Sequence, residues 1–147
     1  MKIHLEIRDE YPEPEIRICA AALTPEIEKI LQLVERSPGN KPLNGYRQDT
    51  VTPLAPEKIL RLYGENQKVF AQTMEGIYQL RERLYELEER LGSEAFLRIS
   101  HSEIVNRRRI CRLDVSLTGT IAVILEGGIT TYVSRRYVPR IRKALEL

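Results

Sequence analysis

Phe96-Leu97-Arg98-Ile99-Ser100-His101-Ser102-Glu103-Ile104-Val105-Asn106 is the stretch around which the 147-residue chain organises itself. Two short apolar runs, Phe96 to Ile99 and Ile104-Val105, flank a polar break at Ser100-His101-Ser102, the pattern of two strands joined by a short loop. The same pattern continues on both sides. Downstream, Ile110 to Ser116, Thr120 to Leu125 and Thr130 to Val133 are strand-like and are punctuated by Gly119 and Gly127-Gly128. Upstream, Ile59 to Tyr63, Lys68 to Thr73 and Ile77 to Leu80 are rich in Val, Ile, Phe, Tyr and Thr, and turns at Gly64-Glu65-Asn66 and Met74-Glu75-Gly76 make them a meander.

One segment between these strands changes period. From Arg81 to Leu91, Leu84, Leu87 and Leu91 fall on one helical face and Gly92 ends the run. Glu82, Glu86, Glu88 and Glu89 then form the wet side of that helix and not a catalytic carboxylate pair. The tail from Ser134 to Leu145 reads as a basic helix with Pro139 in its first turn.

Nearer the N-terminus, Ile3, Leu5 and Ile7 alternate with polar residues, and Ile16, Ile18 and Ala20 resume the alternation after Glu10-Tyr11-Pro12-Glu13-Pro14, so a hairpin is expected. Thr24-Pro25-Glu26 reads as a helix start. Ile27, Ile30, Leu31 and Val34 make a single apolar stripe that should pack on the hairpin, and Ser37-Pro38-Gly39-Asn40 should stop the helix. Leu43 to Thr52 reads as two short strands around Gln48-Asp49, with Pro53 and Pro56 as a stiff connector. The expected organisation is a hairpin-helix extension over residues 1–55 and a second domain over residues 56–147. The expected fold class is mainly β with short helices (α+β).

Composition excludes several functions. With 42% hydrophobic and 30% charged residues the chain can bury a core and is not of the disordered class. The longest apolar run, Ile18 to Leu23, is far below the ~20 residues of a bilayer-spanning helix. Met1 to Glu6 lacks the apolar region of an export signal, and Cys19 and Cys111 resemble neither a ligand pair nor a disulfide framework; a reducing, cytoplasmic location is the expectation. Gly127-Gly128 lacks the lysine and the strand-to-helix setting of a phosphate loop. His4 and His101 are too few and too far apart for a metal site, and the neighbours in Ser100-His101-Ser102 rarely face one another for proton transfer. No cofactor, metal, small-molecule substrate or enzymatic activity is expected.

Charge gives the positive signal. The net charge is only +2, yet residues 96 to 147 hold ten basic against four acidic groups. Arg98, Ser100, His101, Ser102, Asn106 and Arg107 to Arg109 fall at strand ends and turns, and Ser134, Arg135, Arg136, Arg140, Arg142 and Lys143 cluster at the junction of the last strand with the tail. Such loops donate to phosphates and reach base edges. With no Trp and two Phe, the stacking platform usual for single strands is poorly represented, so duplex DNA is the better-matched partner. Asn106 reads as a local cap of the turn before Arg107.

Phe96-Leu97-Arg98-Ile99-Ser100-His101-Ser102-Glu103-Ile104-Val105-Asn106, followed by Ile110 and Val133-Ser134-Arg135-Arg136-Tyr137, resembles the LytTR family of bacterial DNA-binding domains. Lys68-Val69-Phe70-Ala71 and the Leu84-Tyr85-Glu86-Leu87-Glu88-Glu89 helix extend the resemblance over residues 57 to 147. It implies short β-sheets that read the major groove with loops. Three DNA-facing places follow from it: Gln67 and Lys68; Ser100, His101 and Ser102; and Ser134, Arg135 and Arg136 with Arg140 nearby. His101 and Arg136 are expected on base edges, Lys68, Ser102 and Arg140 on phosphates, and Arg135 on either. Arg107-Arg108-Arg109 stands where the family commonly has an apolar residue and Asp, and serves either phosphate contact or a solvated turn. The resemblance further implies a homodimeric transcription regulator on repeated half-sites. The N-terminal extension would serve dimer contact or docking of an inhibitor, such as the small membrane proteins often encoded beside such regulators. A protein-interaction adaptor that no longer binds DNA is the alternative.

Overall fold

The computed structural model describes residues 1–35 and 41–147, so the helix stop expected at Ser37 to Asn40 lies outside the described residues. The chain forms two compact units, residues 1–37 and 38–147.

In the first unit the expected hairpin is absent. Residues 2 to 8 and 16 to 20 form no strand ladder, and Ile3, Leu5 and Ile7 are 94%, 79% and 85% exposed. Two isolated strands with a proline-containing connection gain too little from pairing when no third strand or second layer covers them. The helix start is as expected: Thr24 Oγ1 accepts from the Ile27 N–H at 3.3 Å, and α1 (Pro25–Glu35) follows. Its stripe of Ile27, Leu31 and Val34 lines an apolar groove with Ile16, Ile18 and Leu23, so the helix meets a single segment where a hairpin was expected.

The second unit is built from β1 (Leu43–Arg47), β2 (Thr50–Leu54), β3 (Ile59–Glu65), β4 (Lys68–Thr73), β5 (Gly76–Leu80), α2 (Leu84–Leu91), β6 (Phe96–Ser100), β7 (Glu103–Asn106), β8 (Ile110–Val115), β9 (Ile121–Leu125), β10 (Ile129–Tyr132) and α3 (Val138–Ala144). The antiparallel order is β2-β1-β5-β4-β3-β7-β6 in one sheet and β10-β9-β8 in the other. The fold is therefore mainly β with short helices, as expected.

The expected boundary after residue 55 is corrected to residue 37. The β1–β2 hairpin joins the large sheet through Tyr46 opposite Gln79, and Leu43 and Leu54 are buried with Tyr78 and Leu80. Gly45 makes this possible, because a Cβ there would stand 2.7 Å from Leu54 Cδ1 and 2.9 Å from Tyr78 Cβ. Pro53 is not a connector but part of edge strand β2, opposite Asn44, where a missing N–H is tolerated.

Two cores meet at β6 and β7. Alternation sends Phe96 and Ile104 into a cluster with Leu62, Leu87 and Leu91, and Leu97, Ile99 and Val105 into another with Ile121, Val123, Leu125, Val133 and Ile141. This pair, at one end of the large sheet, is covered on one face by α2 and on the other by the three-stranded sheet and α3. A buried polar chain crosses the unit: Arg61 Nη1 donates to Glu103 Oε1 at 2.9 Å, Thr131 Oγ1 donates to Glu103 Oε2 at 2.5 Å, and Arg61 Nε donates to Gln72 at 2.7 Å.

Candidate nucleic-acid interface

The three expected segments fall at connections of the second unit. The first is the β3–β4 turn, where Asn66 and Gln67 adopt φ of 50° and 64°; these are the left-handed values of a two-residue hairpin turn that matches strand twist. Gln67 and Lys68 are exposed there. The second is the β6–β7 turn, with His101 and Ser102 exposed and Ser100 partly buried. The third is the single 3-10 turn Arg135–Tyr137 between β10 and α3, with Arg135 and Arg136 exposed. Its entry residue, Ser134, accepts from the N–H groups of Tyr137 at 2.9 Å and Val138 at 3.2 Å.

Backbone hydrogen bonds make neighbours of these three segments. The Gly64 N–H donates to the Ser102 carbonyl at 2.8 Å, placing the β3–β4 end beside the β6–β7 turn, and the Ser134 N–H donates to the Ile99 carbonyl at 2.9 Å, placing the third segment beside β6. The first follows from register, since β3 pairs with β7 through Tyr63 opposite Glu103 and thereby carries its own turn to the start of β7.

Side chains fix the middle turn. Arg98, whose side chain is 8% exposed, donates from Nε to the Ser100 carbonyl at 2.6 Å, from Nη2 to the His101 carbonyl, and from Nη1 to Glu88 Oε2 at 2.8 Å. Arg140 Nη2 donates to the other oxygen of the same carboxylate, Glu88 Oε1, at 2.8 Å. The Ser100 hydroxyl accepts from the Ser102 N–H at 3.2 Å. Glu88 is thus not simply on the wet side of α2, as the helical period suggested. The sequence did hold a signal for it: Arg98 stands between Leu97 and Ile99 in a core strand, and a guanidinium there needs an anionic partner.

Other positions separate in the same way. Asn106, 3% exposed, caps as expected, its Oδ1 accepting from the Arg108 N–H at 3.1 Å, and also donates to the Ile59 carbonyl at 2.8 Å. Among the three consecutive arginines, Arg109 is anchored to the Glu57 carbonyl at 2.8 Å and Glu126 at 2.9 Å, whereas Arg107 and Arg108 are exposed. Burial pushes the Tyr63 hydroxyl pKa upward, opposed by Arg61 and reinforced by Glu65 and Glu103. Among the described residues no group of His, Cys, Asp or Glu is arranged to hold a metal ion, and no helix is long and apolar enough to cross a membrane.

An exposed end of a β unit that gathers Gln, Lys, His, Ser and Arg offers donors suited to phosphates and base edges. Comparison with known proteins agrees. The family model described as LytTr DNA-binding domain matches residues 49–146. Uncharacterised HTH-type transcriptional regulators of Staphylococcus aureus match the whole chain and 99% of their own length, at 32% identity in strain MSSA476 and 31% in strain MRSA252. The LytTr DNA-binding domain of a putative methyl-accepting/DNA response regulator from Bacillus cereus covers 74% of this chain and 100% of its own, with TM-score 0.71 and 24% identity. The fold and its exposed connections define a β-sheet domain of the nucleic-acid-binding kind. The chain belongs to the LytTR DNA-binding domain family. Although these relatives are called HTH-type, no two α-helices among the described residues are joined by a short turn: α1 ends at Glu35, α2 starts at Leu84 and α3 at Val138.

Proposed function

We propose that this protein is a sequence-specific transcription regulator that binds duplex promoter DNA through its three neighbouring turns. His101 and Arg136 read base edges, Lys68, Ser102 and Arg140 hold phosphates, Gln67 and Ser100 face the DNA beside them, and Arg135 serves either purpose. The observation that carries this reading is the pair of hydrogen bonds, Gly64 to Ser102 and Ser134 to Ile99, that makes one exposed edge from three segments distant in sequence. Family membership and the similarity to proteins named as transcriptional regulators support it. The protein acts as a homodimer on repeated half-sites. Residues 1–37, with apolar Ile3, Leu5 and Ile7 in water, provide dimer contact or the docking surface of an inhibitor such as a small membrane protein.

Retardation of a duplex carrying the chain's own promoter, at two salt concentrations, tests the reading. Arg136→Ala should cost about 1–3 kcal/mol on that duplex and relax sequence preference. Lys68→Ala should weaken all duplexes alike and reduce the salt slope by about 0.9. Equal losses with unchanged preference remove the base-reading assignment, and absence of any salt-sensitive, competitor-resistant binding leaves the chain an interaction adaptor.

A further inference from the structure

Glu88 lies outside all three expected DNA-facing turns, yet its two carboxylate oxygens are divided between Arg98, which holds the second, and Arg140, in the helix that follows the third. Oε2 holds Arg98 at 2.8 Å, and Arg98 in turn grips the carbonyls of Ser100 and His101; Oε1 holds Arg140 at 2.8 Å. The two contacts differ in setting. Arg98 is 8% exposed, so its partner is hard to replace, whereas Arg140 is 54% exposed and exchanges readily with solvent or with another anion.

We propose that Glu88 is a positioning residue that sets the balance between specific and non-specific DNA binding. This rests on the DNA-reading function above. Through Arg98 the carboxylate holds the Ser100–Ser102 turn in one conformation, so that His101 meets a base edge with its orientation already fixed. Through Arg140 it occupies a guanidinium that a phosphate would otherwise engage, so DNA backbone has to displace a carboxylate to gain that contact. One side chain therefore favours the right sequence and disfavours any sequence, two effects of opposite sign on affinity.

The test is Glu88→Gln in the full chain, with Arg140→Gln and the double variant beside it. Glu88→Gln should lower the ratio of own-promoter to random-duplex affinity about tenfold. It should also strengthen random-duplex binding at low salt, because no carboxylate then has to be displaced from Arg140. Arg140→Gln should keep the ratio and lose the backbone contact, and the double variant should lose the ratio without the low-salt gain. Amide exchange at His101, Ser102 and Gly64 in the free protein should quicken in Glu88→Gln but not in Arg140→Gln, with the thermal midpoint recorded to separate local from global loosening. Unchanged exchange at these amides, or exchange that quickens equally across the β-sheets, overturns the positioning role whatever the DNA result. An unchanged ratio and an unchanged random-duplex affinity alongside normal wild-type discrimination overturn the balance. Failure of the wild type to discriminate the promoter refutes the DNA-reading function itself.

Discussion

Residues 1–37 and the β unit that follows contain the same alternating apolar signature and give it opposite fates. Ile3, Leu5 and Ile7 remain in water, while Leu97, Ile99 and Val105 are at most 4% exposed. Local pattern is similar in the two regions; what differs is a ladder partner and a layer on each face. β6 and β7 have both, because they pair with each other and β7 pairs with β3, α2 covers one face, and the three-stranded sheet with α3 covers the other. An alternating stretch becomes a strand only where burial outweighs the ordering entropy of about 1–2 kcal/mol per residue.

The sharpest way to break this contrast is to attack the polar chain inside the covered region. Glu103→Ala leaves Arg61 and Thr131 without their partner and should cost about 3–5 kcal/mol, read as the urea midpoint. Next comes truncation of matched apolar residues. Leu62→Ala, fully buried, should cost about 2–5 kcal/mol, and Leu5→Ala, 79% exposed, should stay within about 0.5 kcal/mol. Equal costs would show that the first unit owns a core of its own. A smaller effect is expected at the β3–β4 turn. Gln67 carries a side chain at φ 64°, so Gln67→Gly should gain up to about 1 kcal/mol while weakening duplex binding. The smallest concerns alkaline pH. The raised Tyr63 pKa contributes stability that is complete below the ordinary tyrosine value of about 10 and is lost as pH rises through the folded value. Tyr63→Phe should abolish that part of the alkaline decline in the urea midpoint.

Much of the second unit was legible because its strands are short, β-branched and separated by turn residues, as at Ile121 to Leu125 and Lys68 to Thr73. The start of α1 at Thr24-Pro25 and the end of α2 at Gly92, φ 82°, were legible for similarly local reasons. What depended on distant partners was not. The missing N-terminal hairpin is a failure of tertiary support. The misplaced boundary came from reading Pro53 as a break, when the open edge of β5 lets β1 and β2 extend the sheet. In the candidate site, the exposed residues declared themselves by charge and by resemblance, whereas Glu88 and Glu103 draw their roles from guanidinium groups 10 and 42 residues away.

Amide chemical-shift mapping of the full chain with the promoter duplex tests the central claim most directly. Gln67, Lys68, His101, Ser102, Arg135 and Arg136 should shift together along one titration curve, with residues 1–35 unaffected by base contact. Shifts confined to one of the three turns, or absent from all of them while the duplex is bound, would contradict a shared reading edge.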